Sequence, residues 1–476
     1  MTDATRSVPL CVDLDGTLLR TDTLHESILH LLKEKPWLTL AFPWWLARGK
    51  AHFKAQVAER TTIDTTHLPY RPEVVDFLRQ AKSRGQPLYL TTAAHQSIAQ
   101  SVADDLGIFD GVLASTSEQN LKGQEKARVL TARFGTKGFD YIGDSKADLP
   151  VWAASRQAHV VGEESLVADA KRVAAVDQVI APPGQSGLRA WIKALRIHQW
   201  TKNILVFIPL LTAHKALEVN LVFDAMIAFL AYSLCASSVY IINDLMDLDA
   251  DRGHARKRVR PFASGQLSAM SGLAVAPMLL AAAFLLASLL PLLFGLVLGG
   301  YFITTLLYSL RLKRMTVVDV LTLAGLYTLR LFGGAFAIGI ELSFWLLAFS
   351  MFLFLSLAMV KRCAELGALP LGVEGNIAGR AYRREDFPAL FSMGVSSGYG
   401  SVLVLALYIN GTTSHVLYSR PEALWLLCPL LLFWVTRVWL VTHRSEMLED
   451  PVVFAFRDSI SRMLVIPMAL VIWAAL

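Results

Sequence analysis

The pattern of apolar and polar positions changes character near residue 187. Before that point, short apolar segments alternate with stretches of mixed polarity, the rhythm of strands and helices taking turns along a doubly wound parallel sheet. Ligands of such sheets bind at the carboxyl ends of the strands. Beyond it, long apolar runs dominate, at about 196–213, 221–242, 268–290, 292–310, 317–340, 343–360, 390–410, 422–441 and 460–476. Most approach the roughly 20 residues that cross a bilayer, which predicts an all-α bundle of about nine spans. The first is weak, since its apolar core from Ile204 to Leu211 is short. Ala181-Pro-Pro-Gly-Gln-Ser-Gly187 is a Pro/Gly/Ser boundary, so the chain reads as domains 1–180 and 191–476 joined by a linker at 181–190.

Composition agrees: hydrophobic residues make up 54% of the chain and the formal net charge is +6. The basic excess sits beside the apolar runs. Sixteen Lys and Arg fall in the loops 243–267, 311–316, 361–389 and 442–462, against only Lys215 and Arg420 in the opposite loops. That asymmetry predicts that these four loops face the cytoplasm across an inner membrane, and it needs no nucleic acid to explain it. The amino terminus opens on polar residues without an apolar leader, so the first domain is expected on the cytoplasmic side too. Cys11, Cys235, Cys363 and Cys428 are scattered, with neither metal spacing nor a disulfide framework.

The sharpest chemistry closes the second run, at Asn243-Asp244-Leu-Met-Asp247-Leu-Asp249-Ala-Asp251. On one continuous helix Asp244, Asp247 and Asp251 share a face, with Asn243 beside Asp247. Carboxylates stacked at membrane depth repel one another and lose hydration, so a cation must neutralise them. Oxygen ligands without His or Cys favour Mg²⁺, which commonly arrives with substrate phosphates. Arg252, Arg256, Lys257, Arg258 and Arg260 follow at once, as a diphosphate would require.

The Asn-Asp-x-x-Asp-x-x-x-Asp pattern and Arg260-Pro-x-x-Ser-Gly265 resemble the UbiA superfamily of intramembrane prenyltransferases. The segments 195–207, Tyr308-Ser-Leu-Arg-Leu-Lys313-Arg314 and Lys361-Arg362-Cys-Ala-Glu365 resemble its decaprenyl-phosphate phosphoribosyltransferase branch. The resemblance implies that Asp244, Asp247 and Asp251 are catalytic metal ligands. It implies substrate contacts at Lys202, Asn243, Lys257, Arg258, Arg260, Tyr308, Lys313 and Lys361. One departure stands out: aromatic prenyltransferases of the superfamily carry a second Asp-x-x-x-Asp, whereas here Asp319 is followed at that spacing by Leu323. Fewer carboxylates suit a donor with its own extra phosphate, such as phosphoribosyl pyrophosphate, although Asp450 or Asp458 could substitute.

In the first domain, Val8-Pro-Leu-Cys-Val-Asp13-Leu-Asp15-Gly-Thr17 is a strand ending in two carboxylates that face the same way. Leu88-Tyr-Leu-Thr91-Thr92, Lys126 and Tyr141-Ile-Gly-Asp144-Ser-Lys-Ala-Asp148 follow in order, and together they resemble the haloacid-dehalogenase superfamily of phosphohydrolases. By that resemblance Asp13 is the nucleophile and Asp15 the general acid and base. Mg²⁺ would be held by Asp13 and Asp144 with support from Asp148. Thr92 (or Thr91) and Lys126 would hold the phosphoryl oxygens, with Lys122 as a competitor. Residues 22–75 read as a small helical cap. Within it, Pro36-Trp-Leu-Thr-Leu-Ala-Phe-Pro-Trp-Trp-Leu46 is unusually aromatic, fit for a cap core or for a membrane interface.

The combined expectation is transfer of 5-phosphoribose from phosphoribosyl pyrophosphate to a polyprenyl phosphate lipid in the membrane domain, followed by removal of the 5-phosphate in the first domain. Two alternatives stay open: prenyl transfer from a prenyl diphosphate with a regulatory first domain, and a lipid-phosphate carrier without catalysis. A homo-oligomer is also left open. Arg330, inside an apolar run, is expected to face a cavity.

Overall fold

A computed structural model describes residues 8–181, 187–368, 380–447 and 450–476; half of the expected linker, at 182–186, lies outside the described residues. The amino-terminal region is built on six parallel strands: β1 (Leu10–Val12), β2 (Leu88–His95), β3 (Gly111–Ser115), β4 (Asp140–Gly143), β5 (Ala158–Val161) and β6 (Val176–Ile180). Their order is β3-β2-β1-β4-β5-β6, with Leu10 beside both Leu88 and Asp140. Both faces are covered, as an all-parallel sheet requires. Leu10, Val12, Leu90 and Ile142 feed one core, while Cys11, Tyr141 and Val160 feed the other. Chain order reverses direction between β1 and β4, so a crevice forms at their carboxyl ends, where Asp13 and Asp144 follow directly.

Between β1 and β2 lies the helical cap. Asp22 caps the helix Thr23–Glu34 by accepting from the Leu24 and His25 amides. The turn Pro36–Ala41 and the helices Phe42–Ala47 and Lys50–Ala58 follow, closing a small core of Leu31, Trp45, Phe53 and Val57.

By internal packing the chain forms two compact units. The first runs through Leu195 and also takes in Tyr240–Ala276, the stretch that carries the acidic pattern. There Arg252 donates both terminal nitrogens to Glu26 of the cap, at 3.1 and 2.8 Å, and its Nε to the Ala263 carbonyl at 3.2 Å. Phe262 meets the Trp191 ring edge-on. Gly265 has φ +70°, and a Cβ there would lie 2.7 Å from the Arg20 Cβ, so both backbone conformation and space demand glycine.

The second unit comprises Arg196–Val239 and Pro277–Leu476. Among the described residues of the whole chain, seven helices are long and apolar enough to cross a membrane, and the bent pair Pro451–Arg457 and Ser459–Ala475 (77°) makes up to eight. The chain is a multi-span membrane protein. The count differs from nine because the first apolar run forms no long helix. It folds as the 3₁₀ stretch Ile197–Phe207 and the short helix Ile208–Thr212. Polar side chains set its path: Trp200 bonds Ser237, Asn203 bonds Ser233, and Phe207 meets Phe229. These contacts descend the helix Val219–Met246 as the segment advances, so the two run antiparallel.

Candidate active sites

At the crevice of the sheet, local geometry aims the acids inward. Asp13 directly follows β1 and accepts from the Leu14 amide at 2.8 Å. Gly16, at φ +79°, turns the chain sharply; a Cβ there would strike the Asp144 carboxylate at 2.1 Å. Thr17 donates to Asp144 at 3.0 Å, and Asp15 accepts from the Thr23 amide at 2.8 Å, tying this turn to the cap. Lys126, buried near the start of the helix Gln124–Phe134, lies 3.0 Å from Asp13 and 3.8 Å from Asp148. It also donates to Tyr141, which donates in turn to Asp148. Lys122 is exposed, so Lys126 is the lysine brought to the site. Thr91 and Thr92 are both buried, and Thr92 Oγ accepts from the Ala94 amide at 2.9 Å.

Among the described residues, Asp13, Asp144 and Asp148 form the one group of acids close enough to share a metal ion, with an oxygen from each within 4.8 Å of the others. Desolvation, aided by mutual repulsion, pushes Asp13 up to about 6 and Asp144 up to about 7. A buried, oxygen-only, self-repelling set fits a hard divalent cation. Asp148 is spent on Ser145 and Tyr141, so it supports the site more than it faces it. Desolvation and the Asp22 charge raise Asp15 to about 7, suited to proton transfer near neutrality. Mg²⁺ at 100 times its Kd should therefore stabilise the protein by about 2.7 kcal/mol. A thermal melt with no phosphate substrate present, so that the acids at 244–251 lack the phosphates that bring their metal, should show the shift, and Asp144→Asn should abolish it; an equal shift in that variant would disprove the metal assignment.

Two basic residues at this site gave no signal in the sequence. Lys54, on the cap helix Lys50–Ala58, donates to the Ala93 carbonyl at 2.7 Å and feels Asp15 and Asp22. Arg71 donates to the Gly16 carbonyl and, with Asp144 and Lys146, lines a cleft of about 1030 Å³.

The acidic pattern departs from a single helical face. The long helix stops at Met246, and Asp247 is the non-helical residue before the short helix Leu248–Gly253. Asp244 and Asp251 nevertheless converge, because one Arg260 nitrogen reaches both, at 3.1 and 2.6 Å. Asp247 and Asn243 are half-buried nearby in sequence, while Lys257 and Arg258 are exposed. The pattern thus contains a guanidinium bridge where the sequence suggests neutralisation by Mg²⁺, with Arg260 on a diphosphate.

Within the helical unit, Lys202 and Lys361 both donate to Asp450, at 2.7 and 3.1 Å, and Tyr327 adds its hydroxyl at 3.2 Å. Arg330 is buried against Asn203, Tyr301 and the Leu326 carbonyl. Tyr308 belongs to another cluster, donating to the fully buried Asp319 at 2.9 Å. Asp319 also receives Arg362 and, at 3.0 Å, Arg380. Lys313 sits half-buried in the turn Leu312–Arg314. Arg380 and Asp450 act far from their partners in sequence, which is why motif spacing did not reveal their pairings.

Comparison with known proteins fits both halves. A model of the UbiA prenyltransferase family matches residues 204–460, and one of haloacid dehalogenase-like hydrolases matches 10–152. A Sinorhizobium fredii protein named "Uncharacterized protein y4nM" is 38% identical over 96% of this chain and 89% of its own length. Decaprenyl-phosphate phosphoribosyltransferase of Mycolicibacterium smegmatis is 33% identical over 42% of this chain and 64% of its own. The solved structure of a UbiA homolog from Archaeoglobus fulgidus bound to GPP and Mg²⁺ is 18% identical, covering 60% of this chain and 99% of that one, with a TM-score of 0.45. The chain belongs to the UbiA prenyltransferase family and carries a haloacid dehalogenase-like hydrolase domain ahead of its membrane helices.

Proposed function

We propose that the membrane domain transfers 5-phosphoribose from phosphoribosyl pyrophosphate to a polyprenyl phosphate, and that the hydrolase domain removes the 5-phosphate from the lipid-linked product. The observation that carries the first step is the state of Asp319. This one acid at the expected place of a second motif is held by Arg362, Arg380 and Tyr308, so its charge is already matched. A donor clamped between two metal-binding acid pairs is then disfavoured. The relative named decaprenyl-phosphate phosphoribosyltransferase supports the same donor.

Asp244, Asp247 and Asp251 do not stand as a ready three-acid metal site, so Mg²⁺ would come with the donor's diphosphate. It would be taken by Asp244 and Asp251 where they converge on Arg260, with Asp247 as the proposed third ligand, and supply charge for the departing diphosphate. Arg260 has its guanidinium already on Asp244 and Asp251, where it can turn to a phosphate oxygen. Lys202 and Lys361, held on Asp450, are the proposed contacts for substrate phosphates; Asn243, Lys257, Arg258, Tyr308 and Lys313 are proposed as further contacts. A phosphate oxygen of the lipid attacks the anomeric carbon as the bond to diphosphate breaks, the diphosphate leaving with the electron pair. In the hydrolase domain Asp13 attacks the 5-phosphate, Asp15 protonates the ribose oxygen as it leaves, and Asp15 then takes a proton from the water that releases phosphate. Lys126 would balance the phosphoryl charge, and Thr92 would hold a phosphoryl oxygen.

Both sites are proposed to face the cytoplasm from the inner membrane. The basic loops support this, and so does the antiparallel course of Ile197–Phe207 beside the Val219–Met246 helix: the segment starts level with the carboxyl-terminal part of that helix and leads away, and the helix brings the chain back to the side where the segment began. The family description favours a second reading, prenyl transfer from a prenyl diphosphate. Offering each labelled donor separately decides between them. Ribose label should enter the lipid phase, and Asp247→Ala should reduce that labelling by about 10³-fold or more, the scale of losing a charge-stabilising group. Consumption of prenyl diphosphate with no ribose transfer would overturn the proposal.

A further inference from the structure

The aromatic segment of the cap has a job that neither catalytic site accounts for. Trp45 turns inward to the cap core, but Trp37 is 64% exposed, Leu40 85%, Trp44 64% and Leu46 49%. Four large apolar side chains bared within ten residues form a patch that a soluble surface would bury or avoid. Tryptophan suits a water–lipid boundary, with an apolar body and a polar N–H. The flanks are cationic: Lys33, Lys35, Arg48 and Lys50 stand against Glu34 alone, and the Arg48 guanidinium lies 5.0 Å from the Trp44 ring centre.

Two observations name the partner. The compact unit that holds the cap also holds the ends of two membrane spans, Tyr240–Met246 and Ala269–Ala276. Furthermore, Leu29, His30 and Lys33 of the cap helix line one small cavity with Leu245, Met246 and Asp249, at the end of the first of those spans. The aromatic segment begins two residues after that helix ends. We infer that Trp37, Leu40, Trp44 and Leu46 insert into the headgroup layer of an anionic bilayer, seating the cap of the hydrolase domain on the membrane surface. Its consequence, a phosphatase presented to a lipid-borne phosphate, rests on the function proposed above; the contact itself does not.

The test uses the full chain in nanodiscs containing phosphatidylglycerol. All four native cysteines are buried, so a fluorophore on Leu40→Cys reports that site alone. A second label on Arg128→Cys, exposed on the hydrolase domain, is the reference. Quencher carried on lipid headgroups should dim position 40 at least threefold more than position 128, with aqueous iodide giving the reverse. Iodide reaching position 40 as freely as position 128 overturns the inference, and so does shielding from both quenchers, which would mean a protein partner. Because no turnover is read, failure of the proposed reaction cannot mimic either outcome. Trp37→Glu with Trp44→Glu should additionally raise KM for a lipid-borne phosphate ester about tenfold while leaving a soluble ester unaffected; equal changes on both esters would contradict it.

Discussion

Asp13→Asn is expected to lower phosphate release by roughly 10⁴-fold or more, the scale seen when a covalent nucleophile is removed, while ribose transfer continues. The amide keeps the hydrogen bond from the Leu14 amide but loses the nucleophilic oxygen and the partner of Lys126. Removing one negative charge also relieves the repulsion that raises Asp144. Lys126 keeps Asp148 at 3.8 Å and the Tyr141 hydroxyl, so it is not stranded, and a thermal melt of the variant separates lost activity from lost structure. A phospholipid intermediate bearing both ribose and its 5-phosphate should accumulate. Unchanged phosphate release in Asp13→Asn, measured in single turnover, would remove the hydrolase step from the account.

The largest structural effect is expected at Arg252. With Glu26 it forms a bidentate ion pair in which each side chain is at most 5% exposed. Burying two charges is repaid mainly by their pairing, so removing one partner leaves the other stranded, at about 3–5 kcal/mol. Arg252→Ala should destabilise the unit that joins the cap to the segment Tyr240–Ala276 by about that amount. Glu26→Ala should do likewise, and the Glu26→Leu, Arg252→Met pair should recover most of the loss, since an apolar pair carries no stranded charge. Arg252 follows Asp251 directly, so ribose transfer should fall with the single variants and return in part with the double. Additive destabilisation in that cycle would show that the pair is not coupled.

Much of this was legible before folding, for a physical reason. A strand end fixes its own side chains, so Asp13, Asp15, Asp144 and Asp148 could be placed from local pattern; Asp13, Asp144 and Asp148 lie within reach of one another, and Asp15 feels the Asp13 charge. Apolar run length likewise fixed most spans. What failed was reasoning that assumed continuity. The helix break at Asp247 has no Gly or Pro to announce it, and the first apolar run, weak already in its short apolar core, carries Lys202 and Asn203 inside it. Those two residues seek partners at Asp450 and Ser233, and satisfying them holds the segment away from a regular long helix. Lys54, Arg71 and Arg380 were hidden because their partners are distant in sequence, and for the same reason Asp450 could be named as a substitute acid but not paired with Lys202 and Lys361.

One measurement bears on both steps together. Purified protein in nanodiscs would receive Mg²⁺, a polyprenyl phosphate and phosphoribosyl pyrophosphate carrying one label in the ribose and another in the 5-phosphate. The account predicts ribose label in the lipid phase and 5-phosphate label freed as inorganic phosphate in equal amount. Both labels remaining in water, with several lipid chain lengths offered, would contradict it.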